Sequence, residues 1–249
     1  MKISLIVPCY NEVANIQKGV LDKIGNFTAK DDRFLEVIIV DDGSNDSSKT
    51  IVKTKYLTAF PKFKLITNNH QGKAFAVLTG IKQAKADWVM FSDIDLATPI
   101  EEADKLIKET GGYEIVIGSR NSYRKGAPLL RKVMAKGFIV LRNLIIGLKG
   151  IKDTQCGFKI FEKKAAMKIV SGLKVFHNNR KAKGSSVSAG FDLEFIFLAQ
   201  KFGYRIKEVP VIWRHVETKN VNFITDSLET LKDIFKIKYL AITGQYDKK

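Results

Sequence analysis

The sequence predicts an α/β fold built on a mostly parallel sheet with helices on both faces. Three observations predict it. Short apolar runs alternate with segments of helical periodicity through the first half of the chain. The runs are almost continuously apolar, as strands buried on both faces are. Polar residues gather just after each run: Tyr10, Asn11 and Glu12; Asp41 and Asp42; Asn68 and Asn69; Asp93 and Asp95; Ser119 and Arg120. In open α/β sheets, ligands bind outside the carboxyl ends of the strands.

The elements follow in order. Residues 3–7 read as the first strand and 13–24 as a helix. A second strand, 35–40, runs into the acidic turn 41–44, and 45–57 reads as helical. Residues 63–67 form a third strand, 72–84 a helix and 87–91 a fourth strand. Pro99 opens a charged helical segment over 100–110, and 114–118 is a fifth strand. Neither a GxGxxG after the first strand nor a GxxxxGK[ST] is present, so the dinucleotide fingerprint and the P-loop are both absent.

The second half is less regular. Over residues 128–148, Arg131, Lys132, Lys136, Arg142 and Lys149 share one arc of a helical wheel. Leu130, Val133, Met134, Phe138, Val140, Leu141, Leu144, Ile145 and Leu148 occupy most of the opposite side. This predicts a basic amphipathic helix lying on an anionic membrane surface, ahead of a helix that packs one face on the core. Residues 177–190, rich in Asn, Lys, Ser and Gly, read as a loop. Residues 205–213 alternate as a strand, with Pro210 favouring an edge position. Residues 223–240 form a second amphipathic helix with Leu228, Leu231, Phe235 and Tyr239 on one side, suited equally to membrane contact or core docking.

The most informative feature is the pair Asp93 and Asp95, where an apolar run over 88–91 ends in two carboxylates one residue apart. Ionised carboxylates are costly to bury unpaired, so packing does not explain them. At a strand's carboxyl end they suit a hard divalent cation that also holds phosphate oxygens. The plainer alternative is a turn that happens to be acidic.

Composition narrows the partners. At 249 residues, 45% hydrophobic and 27% charged, the chain is ordinary for a globular protein. Its net charge of +16 is not, and calls for an anionic partner: nucleic acid, an anionic membrane or phosphorylated substrates. Many of the lysines are scattered, so part of the excess is a solvated basic surface. Cys9 and Cys156 form no CxxC or Cys/His cluster, which argues against structural zinc and fits a reducing compartment. The N-terminus has neither the length nor the cleavage site of a signal peptide. No apolar run reaches the roughly 18 residues that a spanning helix needs.

The motifs PCYNE (8–12), DDGS (41–44), DID (93–95), GSR (118–120) and DTQCGF (153–158) occur in this order across nearly the whole chain. Each is weak alone. As an ordered set they resemble the polyprenyl-phosphate glycosyltransferases, inverting enzymes of the GT-A (Rossmann-like) fold. The segments 153–159 and FDLE (191–194) resemble dolichyl-phosphate glucosyltransferases more than mannosyl relatives. The resemblance implies one glycosyltransferase domain over 1–249, with a nucleotide-sugar half (1–120) and an acceptor and membrane-facing half (121–249).

It also implies roles. Pro8, Tyr10 and Glu12 line the nucleotide pocket, Asp42 contacts the base and Lys73 neighbours the nucleotide. Asp93 meets the ribose or the metal, and Asp95 holds Mg²⁺ or Mn²⁺ on the diphosphate. Arg120 and Arg131 bind the acceptor phosphate, Asp192 lies in a matching segment, and Lys219 belongs to a loop that closes over the donor. Two departures stand out. Mannosyl relatives often carry Gln two residues after the second metal Asp, where this chain has Ala97, leaving that ligand position to water. The 177–190 loop is longer and more polar than the family pattern.

The chemistry accounts for these residue types. Transfer from a nucleotide sugar builds charge on the departing diphosphate, which a bound cation neutralises. The nucleophile is a phosphate monoester, already largely ionised at neutral pH because its second pKa is about 6, so no strong general base is needed. Arginine's planar fork matches phosphate oxygens in pairs, although a surface ion pair is the ordinary fate of a lone arginine. His70 and His215 are assigned no role, and Ser44 and Ser119 read as turn or capping residues.

The expected activity is metal-dependent, inverting transfer of a hexose, glucose from UDP-glucose, onto a dolichyl-type phosphate. GDP-mannose-dependent transfer is the alternative, as is a transferase with a non-lipid acceptor, although the QxxRW segment common in the latter is absent. No nucleic-acid motif supports a nucleic-acid partner. The expected location is peripheral, on the cytoplasmic face of a membrane, with room for a membrane protein that supplies an anchor.

Overall fold

The computed structural model describes residues 1–120, 142–176, 189–214, 216 and 223–247, and leaves aside the side chains of residues 189 and 223–228. Its centre is a seven-stranded sheet. The strands are β1 (Ile3–Cys9), β2 (Phe34–Asp41), β3 (Phe63–Thr67), β4 (Trp88–Ser92), β5 (Ile115–Arg120), β6 (Phe158–Glu162) and β7 (Ile206–Val211). Their order is β3-β2-β1-β4-β6-β5-β7. All pairings are parallel except those of β6, which runs antiparallel to both β4 and β5. β7 lies at the sheet's edge, as Pro210 predicts.

Side chains alternate across the sheet with the two-residue period of a strand. Ile6, Ile38, Val40 and Phe91 point into one core, and Leu5, Val7, Val37, Ile39 and Met90 into the other. The first core is covered by α5 (Lys73–Gln83), α7 (Lys163–Gly172), α8 (Ala189–Lys201) and α9 (Phe223–Ile242). The second is covered by α1 (Val13–Gln17), α2 (Val20–Ala29) and α6 (Ala103–Glu109), and by the stretch in which α3 (Ser48–Ile51) passes through a π-helical turn (Val52–Tyr56) into α4 (Leu57–Ala59). Burial on both faces is why the strands read as continuous apolar runs.

Several expectations are corrected. The helix expected over 13–24 is two helices, because Gly19 (φ 77°) turns the chain between α1 and α2. β6 has no counterpart in the sequence reading. The fifth strand continues through Ser119 and Arg120 rather than ending before them. Of the helix expected over 128–148, residues 121–141, Arg131 among them, lie outside the described residues. The described remainder is helical over 142–146. There Arg142, placed by the helical wheel on a basic solvent face, is 3% exposed. It donates to the Thr154 hydroxyl and to the carbonyls of Ile151 and Lys152, because it pins the helix to the 151–154 loop. Leu144 is instead 75% exposed. Of the 177–190 loop, residues 177–188 lie outside the described residues, and α8 begins at Ala189. In α9 the expected stripe divides: Leu231 packs against the core beside Ile234 and Ile237, Phe235 and Tyr239 face outward, and the Leu228 side chain lies outside the described residues.

Candidate active site

The carboxyl ends of the parallel strands and the start of antiparallel β6 meet along one edge. There the turns after β1 and β2 are laced together. Asn11, in the left-handed region at φ 55°, accepts the Asn45 N–H on its side-chain oxygen, and its own N–H donates to Ser44 Oγ. The Glu12 N–H donates to Ser48 Oγ at 2.7 Å. Pro8 sits beyond the last β1–β4 pair, Ile6 with Phe91, so its missing N–H breaks no ladder on that side.

Asp42 is buried and its carboxylate is fully engaged. It accepts the N–H groups of Gly72 and Gln71 and sits 2.8 Å from His70 Nδ1. Burial pushes its pKa up, against those hydrogen bonds. Asp42 therefore holds the 70–72 turn against the sheet edge. Gly43 (φ 77°) permits this, since a Cβ there would meet the His70 backbone nitrogen at 2.9 Å. The His70 ring in turn stacks on Tyr10 with centroids 4.0 Å apart. The neighbouring Asp41 Oδ1 is buried with no hydrogen-bond partner. Sequence reasoning gave His70 nothing, and its place beside Asp42 comes from a contact 28 residues away.

Next along the edge is a dense set of charges. Lys73, the first residue of α5, brings its ammonium 2.5 Å from Asp93 Oδ1. Among the described residues this ammonium is the one partner of the buried Asp93 Oδ1. The Asp95 side chain accepts the Ala97 N–H. Burial, and next to it Asp93, push the Asp95 pKa up. Leu96 between the acidic pair and Ala97 has φ 50°, a strained conformation of the kind that clusters at functional sites. Glu12, half-buried, is pushed up to about 7, mainly by burial and further by Asp95 and Asp93, with the Asn15 amide opposing.

β6 and the loop before it complete the site. Gly157 packs directly on the Asp93 carboxylate, and its carbonyl accepts the Asp93 N–H. Lys159, 1% exposed on its side chain, donates to Asp192 Oδ1 at 2.7 Å and to the Cys156 carbonyl. Arg120 is held by Asp153 through Nε at 2.7 Å and Nη2 at 2.9 Å, and lies over the Trp213 ring. Burial opposes ionisation of Asp153, but the Arg120 pair outweighs it and holds the carboxyl below its usual range. Cys9 and Cys156 are buried free thiols whose pKa values burial raises.

The structure thus brings Tyr10, Glu12, Asp42, Lys73, Asp93, Asp95, Arg120 and Asp192 to one edge, with Pro8 buried beneath. Arg131 and Lys219 lie outside the described residues. Asp153, Gly157 and Lys159 were missed as functional positions. The available signal was Lys159 itself, a lone charge within an otherwise apolar run.

A divalent cation fits this donor set. Among the described residues no group of three or more His, Cys, Asp or Glu could cage one. Two carboxylates, one of them paired only with the Lys73 ammonium, completed by substrate phosphate and water, match the way Mg²⁺ is ordinarily held.

A profile of the family described as "Glycosyl transferase family 2" matches residues 4–170. The dolichyl-phosphate beta-glucosyltransferase of Dictyostelium discoideum is 32% identical over 260 residues, covering 97% of this chain and 75% of that relative. The protein of the same name from Homo sapiens is 31% identical, covering 98% and 77%. Among solved structures, glucosyl-3-phosphoglycerate synthase from Mycobacterium tuberculosis in complex with UDP superposes with a TM-score of 0.68 at 15% identity, covering 95% of this chain and 80% of that one. The same synthase with Mn²⁺, UDP and glucosyl-3-phosphoglycerate gives 0.68 at 17%, covering 95% and 79%. At those identities the likeness speaks for the fold alone. Matched by the family profile over more than half its length and by relatives up to 32% identical over nearly all of it, the chain belongs to glycosyl transferase family 2 and is a glycosyltransferase with the GT-A fold.

Proposed function

We propose that the protein transfers glucose, with inversion, from UDP-glucose to a dolichyl-type polyprenyl phosphate. The observation that carries this is the convergence of the acidic pair, the Tyr10–His70–Asp42 wall and Arg120 on one sheet edge, in a chain whose relatives are named dolichyl-phosphate beta-glucosyltransferases. Residues 1–120 take the nucleotide sugar, and the remainder serves the acceptor. The UDP and Mn²⁺ bound by the synthase of shared fold select the donor and metal to try first.

Each residue has a task in this reading. Tyr10 and His70 offer ring faces to the base, on a turn that Asp42 keeps in place. Asp93 and Asp95 would hold Mg²⁺ or Mn²⁺, which when bound neutralises the charge of the departing diphosphate. Asp153 takes two of the Arg120 nitrogens and fixes the guanidinium plane, leaving Nη1 to orient an acceptor phosphate. Lys159 neutralises Asp192, so that carboxylate can accept a hydroxyl hydrogen bond without repelling the phosphates. Arg131 and Lys219 join from outside the described residues, at the acceptor phosphate and the donor respectively.

The lipid acceptor brings the protein to an anionic membrane surface, as a peripheral protein on the cytoplasmic face, where a membrane protein could anchor it. No described helix is long and apolar enough to cross a membrane. Phe235, Tyr239 and Ile242 of α9 are 59%, 66% and 73% exposed. At 100° per residue they form one stripe, with Lys232 and Lys236 on one side and Lys238 on the other. Aromatic and apolar groups rimmed by lysines suit the headgroup boundary.

The test offers purified protein UDP-glucose, GDP-mannose and UDP-N-acetylglucosamine in turn, with Mg²⁺ and polyprenyl phosphate in anionic vesicles. Glucosyl lipid from UDP-glucose alone, lost in Asp95→Ala, is the expected result. Lipid product from GDP-mannose alone would replace the sugar, and no lipid product from any donor would refute the acceptor.

A further inference from the structure

Three cations stand among the carboxylates of the site, and they are held differently. Arg120 is locked to Asp153 by two aligned side-chain hydrogen bonds, with its backbone N–H adding a third. Lys159 is locked by the Asp192 carboxylate and the Cys156 carbonyl. Lys73 is held by less: its one ion-pair contact among the described residues is with a single Asp93 oxygen, Oδ1, at 2.5 Å.

Its place in the chain is also unfavourable. Lys73 opens α5, whose first turn contains no acidic residue, and a cation at a helix N-terminus opposes the helix dipole. Carboxylates from other elements, Asp93 first and then Asp192 and Asp95, compensate. Four carboxylates (Asp93, Asp95, Asp153 and Asp192) face these three cations, and Asp95 has no ion-pair contact of its own among the described residues, sharing Lys73 with Asp93. The set is short of positive charge at the acidic pair, where Lys73 sits.

We propose that Lys73 is an exchangeable counter-cation: its ammonium occupies Asp93 in the metal-free protein, yields that place when a divalent cation binds, and passes to a phosphate of the nucleotide. The inference rests on the reading of Asp93 and Asp95 as the metal pair. Two cations within a few ångströms on one carboxylate repel each other, and the four-carbon lysine stem can swing a compact charge onto phosphate.

The experiment titrates Mn²⁺ alone into the full chain, following the free-ion electron paramagnetic resonance signal. Lys73→Met removes the competitor, so Mn²⁺ should bind about tenfold more tightly, the equivalent of 1.4 kcal/mol, while turnover falls by about a hundredfold. Lys73→Arg keeps the charge and should leave Mn²⁺ affinity near wild type. Far-UV circular dichroism and thermal melting establish that both variants are folded. Affinity in Lys73→Met that equals or falls below wild type overturns the exchange and leaves the metal reading standing. Mn²⁺ binding that is absent from wild type and variants alike, or unchanged in Asp93→Asn, overturns the metal reading and the exchange with it.

Discussion

Gly157→Ala tests the placement of the Asp93 carboxylate from the opposite side. A Cβ at Gly157 would lie 2.1 Å from Asp93 Oδ2 and 2.4 Å from its Cγ, where ordinary contact begins at 3.4 Å. The carboxylate must therefore withdraw by roughly 1 Å or more, since carbon contacts are optimal near 3.5–4.0 Å. Gly157 has no positive φ, so alanine adds no backbone strain and the perturbation is steric. The Asp93 backbone cannot carry the shift freely, because its N–H donates to the Gly157 carbonyl at 3.1 Å. A displacement of about 1 Å at a reacting centre can cost about 100-fold in rate, and overpacking costs about 1–3 kcal/mol. The assay pairs kcat for glucosyl-lipid formation with thermal unfolding. The expected result is kcat down about 100-fold and Tm down by roughly 2–12 °C, since each kcal/mol moves a chain of this size by about 2–4 °C. A double-mutant cycle isolates the contact, because in an Asp93→Ala background the stability cost should largely vanish. Unchanged turnover, or the same destabilisation in both backgrounds, would refute the reasoning.

Two other predictions concern stability. Glu194, fully buried, accepts the N–H groups of Lys174, Val175 and Phe176 and the Tyr246 hydroxyl. Glu194→Ala orphans these donors and should cost about 3–5 kcal/mol in urea unfolding, and a cost below about 1 kcal/mol would mean that the network is dispensable. Glu12 rises from an ordinary value of 4.5 to about 7, chiefly through burial. A carboxyl raised in the fold contributes stability that is present below its unfolded pKa and lost as pH climbs through the folded one. In chelator-treated protein, Glu12→Gln should therefore gain Tm on wild type between pH 4.5 and 7, and parallel pH profiles would show that Glu12 titrates normally.

How much of this was legible in the sequence depends on the range of each signal. Strand alternation and the apolar-to-acidic break at Asp93 are local, and they located β1 to β5 and the site's edge. β6 escaped because Lys159 interrupts a five-residue run, and its charge is tolerated only beside Asp192, 33 residues on. Arg142 misled for the same reason. On a helical wheel it joins a basic arc, yet its partners are carbonyls 9 and 10 residues away that a periodicity cannot see.

The sequence by itself determined six of the seven strands, β1 to β5 and β7, and which residue types reach the binding edge, because both follow from a period of two residues and from the cost of burying charge. Only the tertiary structure decided how those charges pair: Lys73 with Asp93, Arg120 with Asp153, Lys159 with Asp192. Coulomb energy depends on distance through space, and the sheet order brings together side chains 20 to 33 positions apart.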